Sequence, residues 1–269
     1  MIQTYVLEQM VNLTHAPFQL ITPEGTIKTG FGMRTVEQTF YEKNPQILKG
    51  YMNTVFVVVF GVSISLILSS IGAYFLSRKN VMLKKAITLY IIFTMFFGGG
   101  LIPFYMVVKE CGLIGSLWSL IIPTAISTYN MIILRTSFES LPESIIESAR
   151  IDGAGHLQIL YKMVIPLSKA SLAVVGLYYG VSYWNSWFNA SIFLGGDTSK
   201  WPLQLVLRQI LILNDTNSMT MDVGAQDVEK VGDSIKYAVI VVATIPILCA
   251  YPFLQKYFVK GVMIGAVKG

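Results

Sequence analysis

Charge is what this chain has least of. Asp, Glu, Lys and Arg make up 13% of its 269 residues, about half of the roughly 25% usual for a soluble domain. Histidine is nearly absent: His15 and His156 are the two present, and each stands alone. No Ser/His/Asp set, carboxylate pair or metal-type spacing is discernible among so few groups, which argues against a hydrolase or a metal-dependent enzyme. Cysteine is equally scarce, with Cys111 and Cys249 in or beside apolar stretches. A disulfide scaffold is therefore unsupported, and both are expected to act as small packing residues. There is also no nucleotide-binding loop. Gly98-Gly-Gly100 is followed by no Lys-Ser/Thr and preceded by no strand pattern, so the glycines predict a kink or local unwinding instead.

What is present in quantity is hydrophobicity, at 54% of residues with a mean hydropathy of +0.60. Five stretches carry no Asp, Glu, Lys, Arg or His: 52–76, 86–108, 111–134, 170–194 and 237–255. Each approaches or exceeds the roughly 20 residues that a helix needs to cross about 30 Å of hydrocarbon. The pattern predicts an all-α, polytopic transmembrane helical bundle with five legible spans. The alternation of barrel strands is missing. Small residues Gly61, Ser63, Ser65, Ser69, Ser70, Gly72 and Ala73 in the first span predict a close helix–helix face. Pro123 predicts a bend in the third.

The net charge of +5 resembles a nucleic-acid signal until its placement is read. Arg78, Lys79, Lys84 and Lys85 fill one short connection, Arg135, Arg150, Lys162 and Lys169 lie in or beside a second, and Lys256, Lys260 and Lys268 follow the last span. The connection at 195–236 carries six acids, from Asp197 to Asp233, against four basic residues. By the positive-inside rule the first three are cytoplasmic and the fourth lies outside. Nucleic acid is not an expected partner; membrane lipid is.

Residues 1–50 form a separate extracytoplasmic segment, polar and irregular, with turn signals at Pro17, Pro23-Glu-Gly25 and Gly30-Phe-Gly32. It has no basic start or apolar run of signal-peptide type, so an apolar helix upstream of it is expected to be missing. Residues 51–269 form the transmembrane domain. Within it, residues 136–168 are a polar island. Leu141-Pro142-Glu143 begins a helix, with Glu143 in the first turn suiting the dipole. Glu139, Glu143 and Glu147 recur at intervals of four and are expected on one face, away from Ile145, Ile146 and Ala149. Asp152-Gly153-Ala-Gly155 ends the helix, because glycine accepts the left-handed conformation. A second amphipathic piece follows over Leu157–Val164. By these residues alone, a solvated connecting loop and a docking surface are equally good readings.

The spacing of this island resembles the EAA loop of ABC importer permeases: Glu-Ala-Ala, three residues, Gly, nine residues, Ile-x-Leu-Pro. The chain reads Glu147-Ser148-Ala149, Gly153, then Met163-Val164-Ile165-Pro166. Ser148, Met163 and Ile165 are mild departures. Arg150-Ile-Asp-Gly-Ala154, Tyr183-Trp-Asn-Ser-Trp-Phe-Asn189 and Tyr257-Phe-Val-Lys-Gly-Val-Met263 are similar to the carbohydrate-importer, maltose/oligosaccharide permease-like branch. The resemblance covers residues 44–269. It implies the type I importer permease fold in a bacterial cell membrane, beside a second homologous permease subunit, a dimeric ABC ATPase and an extracytoplasmic solute-binding protein. No cofactor is implied in this chain, ATP and Mg belonging to the ATPase. Glu143, Glu147, Ala149, Asp152 and Gly153 are the implied ATPase-coupling residues of a cytoplasmic coupling helix. Members of the branch carry six spans, one of them before the polar segment that corresponds here to residues 1–50, and only five are legible.

The solute path is sought among polar residues at membrane depth. Tyr183, Trp184, Asn185, Trp187 and Asn189 in the fourth span are candidates, with Tyr129 and Asn130 in the third. Aromatic faces suit sugar rings and amides suit hydroxyls. An aromatic belt at the outer interface is the competing reading of the same residues. The resemblance favours a sugar or oligosaccharide importer subunit that is not itself an enzyme. An importer for another solute and an ion channel are the alternatives.

Overall fold

The computed structural model describes residues 17–21, 27–31, 45–79, 81–220 and 239–248. The chain divides into two compact units, Met1–Lys49 and Gly50–Gly269. In the first, β1 (Pro17–Ile21) pairs antiparallel with β2 (Ile27–Phe31), from Pro17 opposite Phe31 to Ile21 opposite Ile27. The expectation of irregular chain is corrected here. Two runs containing aromatic and β-branched residues flank Pro23-Glu-Gly25, which is a hairpin pattern; the turn residues alone suggested disorderly backbone.

Helices follow. α1 (Pro45–Ser77) is unbroken and, over Gln46–Ser77, is the one helix among the described residues long and apolar enough to cross a membrane by itself. α2 (Lys84–Phe96) and α3 (Leu101–Glu110) are bent by 111° at a four-residue break. α4 (Trp118–Ile121) runs into a 3-10 turn at Ile122–Thr124, and α5 (Thr128–Glu139) starts where the Ser127 hydroxyl accepts from the Asn130 amide. α6 (Glu143–Ile151) and α7 (His156–Ile159) lie in the polar island. A π turn at Leu160–Val164 and α8 (Ile165–Leu167) then lead to α9 (Lys169–Trp184), with an 88° bend before it. α10 (Trp187–Phe193), a 3-10 turn at Thr198–Lys200, α11 (Leu203–Thr220) and α12 (Val239–Leu248) complete the described elements.

Of the five expected spans, the described residues show one helix that can cross alone, or up to three crossings if each bent pair is a single span, with the expected break at Gly98–Gly100 among the bends. The causes are local. Gly98-Gly-Gly100 supports helix poorly, and Gly100 sits at φ 87°. Pro123 lacks an N–H and is absorbed by the 3-10 turn. The α9–α10 break falls at Asn185 and Ser186, polar residues that favour helix ends.

The packing of α1 inverts that of a soluble helix. Ser65, Ser69, Ser70 and Ala73 are buried, whereas Val55, Val59, Ile67 and Ile71 are exposed. In water this would be unfavourable; against lipid the apolar face costs nothing and the small, polar face packs on neighbouring helices. Tyr183 Oη lies 2.9 Å from Ser65 Oγ, and Tyr179 Oη 2.7 Å from Ser69 Oγ. A Cβ on Gly61 would stand 2.7 Å from the Tyr183 ring, so α9 reaches this depth because residue 61 is glycine. Cys111 departs from expectation: it is exposed, in the turn after α3. Cys249 and the 257–263 ending lie outside the described residues.

Candidate functional site

Two regions carry chemistry, and the first is the polar island. α6 ends in a Schellman arrangement. Ala154 N donates to Ala149 O at 2.9 Å and Gly153 N to Arg150 O at 3.0 Å, with Gly153 at φ 79°. Asp152 is the exposed C-cap before it. This satisfies the carbonyls at the helix end and turns the chain sharply towards α7. Ile146 and Ala149 are buried, holding α6 to the bundle. The opposite side presents Glu147, whose side chain makes no hydrogen bond or ion pair among the described residues, and the island also exposes three side chains that a soluble surface seldom shows: Ile151, 87% exposed, and Leu157 and Tyr161, each 74% exposed.

The three glutamates do not share one face as expected. Glu139 ends α5 and Glu143 begins α6, so the interval of four spans a helix break and the periodicity argument fails. The acids are distributed instead. Glu139 accepts from Lys84 Nζ at 2.9 Å and Arg135 Nε at 3.1 Å. Burial pushes its carboxyl upward, but these two hydrogen bonds prevail and hold it below the usual carboxylate range. Glu143 pairs with Lys79. The Lys79 hydrogen bond lowers the Glu143 carboxyl and raises its own ammonium. The 78–84 connection is therefore clasped to the island by ion pairs, and Tyr74 Oη at the end of α1 reaches His156 Nδ1 at 3.3 Å. Arg78 lies over the Tyr74 ring at 4.9 Å, and burial lowers its basicity.

The second region is a cavity of about 690 Å³ between the α4–α5 connection and α9. Of the sequence candidates, Tyr129, Asn130 and Tyr183 line it; Trp184, Asn185, Trp187 and Asn189 do not. Asn185 donates to Val181 O within its own helix end at 2.9 Å, and Trp184 is buried against Tyr51 with ring centroids 6.4 Å apart. Trp187 lies under Arg208, whose guanidinium carbon is 3.6 Å from the ring centroid.

The lining has a fixed wall and a free one. Tyr179 Oη accepts from Ser127 N at 2.9 Å, and Tyr183 Oη donates to Ile121 O at 3.4 Å, in addition to their serine partners. Tyr129 and Tyr178 are exposed and face each other with centroids 6.3 Å apart. The Asn130 side-chain amide makes no hydrogen bond among the described residues. A cavity with two open aromatic faces, a free amide and the Ser182 hydroxyl suits a polyhydroxylated ring, since stacking takes its C–H face and the polar groups its hydroxyls. The polar residues of the fourth span also include Tyr178, Tyr179 and Ser182, which line the cavity too. Ser127 is a polar lining residue that sequence reasoning missed. Tyr178 is three residues after Val175, which is buried, and nothing in an apolar run tells a cavity-facing tyrosine from a lipid-facing one.

Comparison with known proteins follows from this geometry. A family model described as binding-protein-dependent transport system inner membrane component matches residues 69–264. The chain is 45% identical over 223 residues to the polygalacturonan/rhamnogalacturonan transport system permease protein YtcP of Bacillus subtilis (strain 168), covering 83% of this chain and 78% of that protein. Over 228 residues it is 42% identical to protein LplC of the same organism, covering 84% of this chain and 76% of that protein. The melibiose/raffinose/stachyose import permease protein MelC, also of Bacillus subtilis (strain 168), is 28% identical over 224 residues, with 81% and 75% covered. Among solved structures, the crystal structure of a bacterial ABC transporter involved in the import of the acidic polysaccharide alginate matches with a TM-score of 0.74 at 33% identity. It covers 85% of this chain and 80% of that one.

Proposed function

Because the chain belongs to the family of inner membrane components of binding-protein-dependent transport systems, we propose that it is the permease subunit of an ABC importer that carries a sugar or oligosaccharide into the cytoplasm. The observation that carries the coupling role is the exposure of Ile151, Leu157 and Tyr161 on the same polar island as Glu147, which has no ion pair among the described residues. An apolar patch on the polar island of a membrane protein is a docking surface, and the polar rim lets it seat in a groove of an ATPase subunit. Glu147 supplies a polar contact there, Ala149 anchors α6 in the bundle, and Gly153 sets the angle between the two short helices. Glu143 and Asp152 bracket the helix, one tied to Lys79 and the other capping its end.

In this reading ATP and Mg are bound by the ATPase dimer, a second permease completes the path, and an extracytoplasmic binding protein delivers the solute. The island and the 78–85 connection face the cytoplasm of a bacterial cell, and the C-terminus does too. Closure of the ATPases moves the coupling helices as rigid bodies and opens the path alternately to each side. The names of the relatives support a glycan as cargo, and the cavity chemistry agrees with it.

The test is reconstitution of the complete transporter in proteoliposomes. Glu147→Ala and Gly153→Pro should reduce solute-stimulated ATP hydrolysis and uptake together, while the subunits still co-purify. Proline fixes φ near −65° and is incompatible with the observed φ of 79°. Unaltered stimulation and uptake in both variants would refute the coupling assignment.

A further inference from the structure

Residues 187–212 contain two basic side chains, Lys200 and Arg208. Lys200 is committed: Nζ lies 3.2 Å from Asp197 Oδ2 and donates to Gly115 O at 2.9 Å. Arg208, exposed on α11, has no ion pair among the described residues. Its guanidinium carbon stands 3.6 Å from the centroid of Trp187. At that separation the charge rests on the ring face, where cation–π attraction restrains the guanidinium. Phe188, exposed, meets Trp187 edge-on with centroids 5.6 Å apart. Trp187 follows Tyr183, a wall of the cavity, by four residues, across the break between α9 and α10. A guanidinium restrained on one ring, with a second exposed aromatic ring beside it and four residues in sequence from a wall of a cavity that suits sugar rings, matches one ligand class: a sugar ring bearing a carboxylate, which a guanidinium takes in bidentate fashion.

We propose that Arg208, held on Trp187, binds the carboxylate of a uronic-acid residue as the solute enters, so that the cargo is an acidic oligosaccharide. This rests on the glycan-permease reading. The experiment is ATP-dependent uptake by the complete transporter, reconstituted with its binding protein, of trigalacturonate and of its fully methyl-esterified form. The two probes share every hydroxyl and differ in charge. The wild type should prefer the free acid. Arg208→Gln should lower kcat/KM for the free acid by about 10-fold or more, the loss of a charge-assisted hydrogen bond, and leave the ester unchanged; Arg208→Lys should fall between. An equal loss for both probes overturns the carboxylate site and assigns Arg208 to docking of the binding protein. A wild type that takes up the ester as well as the acid also overturns it, without recourse to any variant, and leaves the permease reading standing. No ATP-dependent uptake of either probe overturns the site, and the glycan reading falls with it only if neutral oligosaccharides are refused as well.

Discussion

The Tyr179 hydroxyl joins three elements: it meets Ser69 on α1 and accepts from the backbone of Ser127, just before α5, while its own residue belongs to α9. Removing it strands a buried serine hydroxyl and a backbone N–H. Tyr179→Phe is expected to destabilise by about 1–3 kcal/mol, seen as a lower Tm of the solubilised transporter. Tyr178→Phe, which removes a hydroxyl with no partner among the described residues, should leave Tm unchanged. Legibility at this scale follows chemistry. Gly153 was readable because the island needs a residue that accepts positive φ, and the structure has it at 79°. Of the seven pathway candidates, the three that line the cavity were not separable from the four that do not. Side-chain direction in an apolar segment depends on its neighbours, which one sequence does not display.

At the scale of elements, the seam between α1 and α9 should be the least tolerant of added volume. Gly61→Val places atoms inside the Tyr183 ring contact at 2.7 Å and cannot be relieved without parting the helices or breaking the Ser65 bond. A cost of about 1–3 kcal/mol is expected, measurable by thermal unfolding; an unchanged Tm would show that the helices pack less closely. The small-residue stripe behind this seam was visible in sequence as Ser65, Ser69, Ser70 and Gly72. The helix breaks were less so, since glycine and proline mark a weak point without saying whether the helix kinks or stops. The same blindness put Glu139 and Glu143 on one face.

The clasp between α6 and the 78–84 connection makes a pH prediction. The Glu143 carboxyl is lowered by the Lys79 hydrogen bond and the Lys79 ammonium is raised by it. The carboxylate side of the pair is fully present above about pH 4.5 and lost as pH falls through the lowered value. The ammonium side is fully present below about pH 10.5 and lost as pH rises through the raised one. Spin labels at Val81 and Ser144 should therefore keep one distance distribution from about pH 5 to pH 10. It should broaden on acidification, and Glu143→Gln should show the broadened form at neutral pH. A distribution indifferent to both changes would remove the clasp from the account.

For the whole molecule, topology is the testable property. If the island is cytoplasmic, one crossing by α2 and α3 places exposed Cys111 outside. In a chain lacking Cys249, a membrane-impermeant maleimide should label Cys111 in intact cells. A cysteine introduced at Ser148 with Cys111 removed should react only after permeabilisation. The reverse pattern would invert the orientation and defeat the coupling role with it. The helical class and the permease family were legible from charge-free runs and from one spacing. The strand pair at 17–21 and 27–31 was not, because ten paired residues give little periodicity.

The fixed wall of the cavity has a consequence for descent. Tyr179 and Tyr183 rivet the bundle through Ser69 and Ser65 while also lining the cavity proposed to admit the cargo. A lineage that changed diet could not begin by replacing them, since each replacement would loosen the bundle before it improved the fit. Drift in cargo must start at the unanchored positions, Tyr129, Tyr178 and Ser182. Those three are where a breeder of transporters should randomise first.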